Sequence, residues 1–146
     1  MKLPVSLILI GAIWGGYQMY SQHQAARALR DVLASSDANG FVDVPPPVNQ
    51  DAETVYVVAA QNCPHAAAQR ADRLAKQLGA QGMPVVRTSQ VSFRPQQVDR
   101  AMMSRLNVVM NGPLPLVFIH SRAAPNPEPD RVVAEYYRSG STRMQR

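Results

Sequence analysis

The stretch Thr54-Val55-Tyr56-Val57-Val58-Ala59-Ala60-Gln61-Asn62-Cys63-Pro64-His65 decides the fold. Its first half is a short apolar run rich in β-branched residues, the pattern of a buried strand. Residues 61–65 read as a turn. Residues 66–78 then set Ala67, Ala71, Leu74, Ala75 and Leu78 on one face at helical spacing. Gly79 and Gly82 end that helix. A buried strand that turns straight into an amphipathic helix predicts the opening unit of an α/β domain.

Downstream the alternation continues. Pro84-Val85-Val86-Arg87-Thr88 reads as a second strand. A second helix is expected over about 95–110, with Val98, Met102, Leu106 and Val109 inward, and Asn111-Gly112-Pro113 stops it. Leu116-Val117-Phe118-Ile119-His120 reads as a third strand. The proline-rich connection 121–129 leaves room for a brief fourth strand near Arg122-Ala123. A last helix follows over 130–138, with Val132, Val133, Tyr136 and Tyr137 on one side. The order β-α-β-α-β-(β)-α predicts an α/β domain over 54–138, with a central mixed sheet covered on both faces. Residues 139–146 are expected to fray as a tail.

Upstream, residues 3–17 carry no charge. A helix through Tyr20 would have about eighteen residues, near the short limit for spanning a bilayer. Trp14, Tyr17 and Tyr20 lie toward its far end, where aromatic rings favour the interface. A cleaved signal peptide is the alternative, but no small-x-small site closely follows the apolar core, and Ala26-Arg27-Ala28 lies too far on. The expectation is therefore an uncleaved signal anchor over residues 1–21, a transmembrane helix that contacts the membrane through residues 3–20. Lys2 opposes Arg27 and Arg30, so charge orients the span only weakly. Residues 22–53 read as a stalk and linker. Ala25, Ala28, Leu29, Val32 and Leu33 continue the helical spacing to residue 34, and Ser35-Ser36-Asp37-Ala38-Asn39-Gly40 breaks it. Pro45-Pro46-Pro47, among Asp37, Asp43, Asp51 and Glu53, predicts an extended, semi-rigid spacer.

The totals narrow the function. The chain has 146 residues, room for one domain, and a net charge of +5. Its basic residues are nearly all arginines and are scattered rather than set in a stripe interleaved with aromatics, which argues against nucleic acid as a partner. An anionic membrane surface or an acidic partner fits the charge. The single Cys63 excludes an internal disulfide framework and a cysteine-rich zinc site. His23, His65 and His120 are scattered, so neither a metal nor a cofactor is expected. No Gly-rich phosphate loop, Ser-His-Asp set or paired-carboxylate signature appears.

A first strand leading through Cys63-Pro64-His65-Ala66 into a helix resembles the thioredoxin superfamily, and most closely the periplasmic disulfide oxidoreductases with a Cys-Pro-His-Cys motif. Leu114-Pro115 stands directly before the third strand, where that superfamily carries its cis-proline. The resemblance implies a thioredoxin-like three-layer α/β/α domain; with the linker acids it favours a domain facing the periplasm, which the apolar stretch would anchor singly in the inner membrane or, alternatively, release after signal cleavage. It implies a catalytic role for Cys63 and His65 and a substrate-binding role for Pro64, Leu114 and Pro115. A cysteine at a helix N-terminus lies by unpaired N–H groups that favour its thiolate. Pro64 suits the first helical turn, where a missing N–H costs nothing.

The departure is Ala66, which stands where the family has its resolving cysteine. Two-cysteine cycling is therefore not expected. The reading favoured is an accessory or peptide-binding module of the bacterial envelope, with a protein partner there. The alternative is a monothiol thiol-disulfide oxidoreductase that acts through Cys63 on a thiol substrate or glutathione. Each residue also has a plainer reading: Cys63 as an inert loop cysteine, His65 as a solvated helix-start residue, Pro115 as a trans proline bounding a strand, and His120 as structural.

Overall fold

The computed structural model describes residues 27, 30–32, 34, 36–61, 64–94 and 98–143. Along them run β1 (Val42–Asp43), β2 (Val55–Val58), α1 (Ala66–Ala80), β3 (Val85–Thr88), α2 (Arg100–Met110), β4 (Leu116–Ile119), β5 (Arg122–Pro125) and α3 (Pro129–Arg143). The strands form one mixed sheet in the order β1-β5-β4-β2-β3. β2 and β3 are parallel, while β2–β4, β4–β5 and β1–β5 are antiparallel. A parallel pair needs a long crossover, which α1 supplies; the antiparallel β4–β5 pair needs only the turn at His120-Ser121. His120 adopts a positive φ of 55° there, the left-handed conformation that tight hairpin turns use.

Side chains alternate across a strand, and the two faces gather two cores. Val55 and Val57 of β2 and Val117 and Ile119 of β4 join Ala71, Leu74 and Leu78 of α1 and Val132 of α3. Val58 of β2 and Leu116 and Phe118 of β4 join Leu106 and Val109 of α2. Phe93 packs its ring against Phe118 on that side, with centroids 5.7 Å apart. Both faces are thus covered, which is why these strands are continuous apolar runs. Fully burying one such Leu or Val contributes about 1.5–3 kcal/mol.

The helices differ from the sequence expectations at their ends. α2 begins at Arg100 rather than near 95, because the Asp99 side chain accepts the Met102 amide at 2.7 Å and caps it. Residues 95–97 lie outside the described residues. Met103, not Met102, packs on the core of that face. α3 runs on through the expected tail to Arg143. Ser139 and Ser141 donate to the carbonyls of Glu135 and Tyr137, one turn back, which satisfies their hydroxyls within the helix. Tyr137, expected inside, is 58% exposed, and Glu135 is fully buried.

The largest difference concerns residues 36–53, read above as a spacer. Phe41, Val42 and Val44 are buried in the two cores. Val42 pairs with Ala123 and Asp43 with Arg122, which adds β1 to the sheet. Beyond it the proline segment is fastened at intervals: the Val44 amide donates to Ser121, the Val48 amide to Ser92 and the Asp51 amide to the Tyr56 hydroxyl. The segment is a strap on the domain, not a free linker.

Its root is an ionic cluster. Asp37 Oδ1 accepts the amides of Asn39 and Phe41 at 3.0 and 3.1 Å. Gly40, at φ 81°, closes this turn with a bond from its amide to the Asp37 carbonyl. Arg122 reaches Asp37 at 2.9 Å and donates to the Phe41 carbonyl at 2.7 Å. Arg138 donates to Asp37 at 2.7 Å and to both oxygens of Glu135. Arg122 Nε lies 3.0 Å from Glu135 Oε1, in charge contact, although its N–H is not aimed for a hydrogen bond. Burial pushes the Asp37 carboxyl up, but hydrogen bonding with Glu135, the Phe41 amide, the Arg122 charge and the Asn39 amide outweigh it, and Asp37 titrates below its usual 3.8. Hydrogen bonding to Glu135, against burial, raises Arg138.

The described stalk residues Arg27, Arg30, Asp31, Val32 and Ala34 are helical, and Val32 packs on the α2-side core. The proposed anchor, residues 1–21, lies outside the described residues. Among the described residues no helix is long and apolar enough to cross a membrane.

Candidate functional site

The register of the sheet assembles the site. Val58 pairs with Leu116 and with Thr88, and Leu116 pairs with Pro125. The exits of β2, β3 and β5 and the entry to β4 therefore share one end of the sheet. Residues 59–61 after β2, residues 64–65 before α1, the 111–115 loop and the connection from β5 to α3 all lie there. This is the end at which open α/β sheets commonly present their ligands, outside the carboxyl ends of the parallel strands.

Of the turn, Pro64 and His65 are described and Asn62 and Cys63 are not. His65 is the N-cap of α1, with φ −65° and ψ 146°, and its side chain makes no capping bond. Both Pro64 and His65 are exposed. The helix starts at Ala66, three positions after Cys63 in the sequence. Pro64 thus precedes the cap instead of occupying the first turn as expected. Its contribution is a carbonyl, which accepts from Gln69 Nε2 at 3.1 Å.

A residue the sequence reading did not single out holds this turn. The Arg87 guanidinium donates to the carbonyls of Ala59 at 2.7 Å, Ala60 at 2.8 Å and Thr88 at 3.1 Å. Its Nε meets Asp72 of α1 at 2.9 Å. Gln61 Nε2 returns a bond to the Arg87 carbonyl at 2.8 Å. One side chain thereby satisfies the backbone acceptors where β2 ends and ties that end to β3 and α1.

Across the sheet end, the Leu114–Pro115 peptide is cis. Pro115 is buried, and Leu114 stands 37% exposed in front of it. The Pro115 carbonyl accepts the Asn126 amide at 2.6 Å, continuing the β4–β5 pairing. The Leu114 carbonyl accepts Arg70 Nη2 at 3.1 Å, which links the loop to α1. Gly112 is required by close approach: a Cβ there would lie 2.6 Å from Pro125 Cβ. Behind Pro115 a cleft of about 230 Å³ opens between α1 and the β5–α3 connection, lined by Arg70, Arg73, Pro115 and Glu128 among others.

The sheet thus brings Pro64, His65, Leu114 and Pro115 to one end and adds Arg70, Arg73 and Arg87, none of which the sequence reading picked out as a site residue. The available signal was the pair Arg70 and Arg73, one helical turn apart on the polar face of α1 in a basic chain. His120 lies at the opposite end, beside the start of β2, where Ile119 pairs with Val55. Among the described residues no group of three or more His, Cys, Asp or Glu side chains is placed to hold a metal ion. His23 lies outside them. Comparisons with protein-family models, with curated proteins and with solved structures found no match to this chain.

Proposed function

We propose that this chain is a thioredoxin-like module that binds an extended polypeptide at the β4 entry, is held at the bacterial envelope membrane by residues 3–20, and does not cycle between two cysteines. The observation that carries the reading is Leu114-Pro115. This pair directly precedes β4 in the element order β2-α1-β3-α2-β4-β5-α3, and it shares its sheet end with Pro64 and His65. That combination matches the superfamily's arrangement, in which backbone beside the proline pairs with an extended chain. The exposed Leu114 side chain offers an apolar contact beside that backbone. Ala66, in place of a resolving cysteine, argues against disulfide cycling within the chain.

An array of unstructured peptides, probed with the full chain and with its Leu114→Asp and Cys63→Ser variants, tests this reading. Leu114→Asp is expected to lose the bound set and Cys63→Ser to keep it. Unchanged binding by Leu114→Asp would remove the proposed surface. Loss on Cys63→Ser, with a mixed disulfide trapped at Cys63, would instead establish the monothiol oxidoreductase.

A further inference from the structure

We propose that the site selects acidic extended peptides, because Arg70 occupies the backbone acceptor such a peptide needs and a ligand carboxylate is what draws it away. The inference rests on the peptide-binding reading above. Pro115 has no N–H, and its carbonyl is already bonded to the Asn126 amide at 2.6 Å. The Leu114 carbonyl is the next acceptor out from the sheet, and Arg70 Nη2 holds it at 3.1 Å. An incoming strand competes with that guanidinium for the Leu114 carbonyl.

What replaces the lost bond decides which ligands enter. The Arg70 contact is an exposed bond from a cation to a neutral carbonyl. A carboxylate accepts from arginine more strongly, and in two-pronged geometry. A ligand with a carboxylate near its pairing backbone gives Arg70 a better partner and frees Leu114 in the same event. A neutral ligand leaves the guanidinium without a protein acceptor.

The surroundings favour the acid. Arg73 lies one turn further along α1, lines the same cleft of about 230 Å³ and is exposed. It makes no ion pair among the described residues. Asp72, which lies between the two arginines in sequence, is engaged by Arg87 at 2.9 Å and so leaves them unneutralised. Against the two cations the cleft sets one acid, Glu128.

The test uses the full chain and two labelled ten-residue peptides, identical except that one carries a pair of glutamates and the other glutamines, read by fluorescence anisotropy. At low salt the glutamate peptide is expected to bind about 5-fold tighter or more, with the gap narrowing as salt approaches about 0.5 M. Arg73→Ala should weaken the glutamate peptide by about 3- to 5-fold and leave the glutamine peptide unchanged. Arg70→Ala should move the two in opposite directions, tightening the glutamine peptide and weakening the glutamate one. A merely structural role for Arg70 would move both the same way. Equal binding of the two peptides, with both lost in Leu114→Asp, would overturn the charge selection and leave the peptide site standing. Binding of neither peptide up to millimolar concentration would overturn both.

Discussion

Replacing Arg122 by Ala should cost the domain a large share of its stability, although Arg122 is partly exposed and touches no part of the site. Its guanidinium contacts Asp37 at 2.9 Å, Asp43 at 3.4 Å and Glu135 at 3.0 Å, and donates to the Phe41 carbonyl at 2.7 Å. The Asp43 contact is mostly exposed and contributes little. Glu135, by contrast, has no solvent exposure. Breaking a buried pair by removing one partner costs about 3–5 kcal/mol, because the charge left behind is uncompensated. Glu135 keeps Arg138 and the Asn39 amide after the substitution, so the lower end applies, about 3 kcal/mol. At about 4 °C per kcal/mol this corresponds to a Tm lower by about 12 °C. Urea unfolding of the full chain should show an earlier midpoint, with Lys76→Ala, an exposed charge on α1, as the control expected to change stability by less than about 0.5 kcal/mol. A loss below about 1 kcal/mol for Arg122→Ala would refute the argument, since it would make the cluster a solvated surface set.

The same cluster sets an acid limit. Asp37 titrates below its usual 3.8 in the folded chain, so it contributes stability above that value and loses it as pH falls through its folded pKa. Stability measured below about pH 4 should therefore fall less steeply in Asp37→Asn than in the parent, and the gap between them should close with acid. Gly112→Ala would drive a methyl into Pro125 at 2.6 Å. It should destabilise by about 1–3 kcal/mol and weaken peptide binding through the displaced Leu114-Pro115 loop; full stability by thermal unfolding would show that the loop gives way freely. Asp99→Ala removes the α2 cap and should cost about 1 kcal/mol, seen as faster amide exchange in the first turn of α2.

The central part of the fold was legible because its signals are local. The runs at 55–58, 85–88 and 116–119 are short and apolar, and each is bounded by turn residues. The spacing of Ala71, Leu74 and Leu78 marks a helix face without reference to any other part of the chain. β1 carries no such signal. It is two residues long, lies among aspartates and prolines, and exists because Val42 and Asp43 find Ala123 and Arg122 far along the chain. Glu135 was unreadable for a related reason: a glutamate in a helix is ordinarily turned to water, and this one is buried only because Arg138 pairs with it and the strap brings Asn39 over it.

The site divides in the same way. Cys63-Pro64-His65 and Leu114-Pro115 could be picked out as a turn at a helix start and a proline before a strand, because each is a local arrangement of residue types. Arg87 under the turn and Arg70 on the Leu114 carbonyl could not, since a long basic side chain has no preferred partner until the sheet register sets acceptors within its reach. The sequence by itself determined the alternation of strands and helices and the two candidate motifs, through periodicity and the backbone restrictions of proline and glycine. Only the tertiary structure decided that residues 36–53 belong to the folded unit, and which cations guard the end of the sheet. Both depend on contacts between distant segments, which become favourable only once the cores have closed around them.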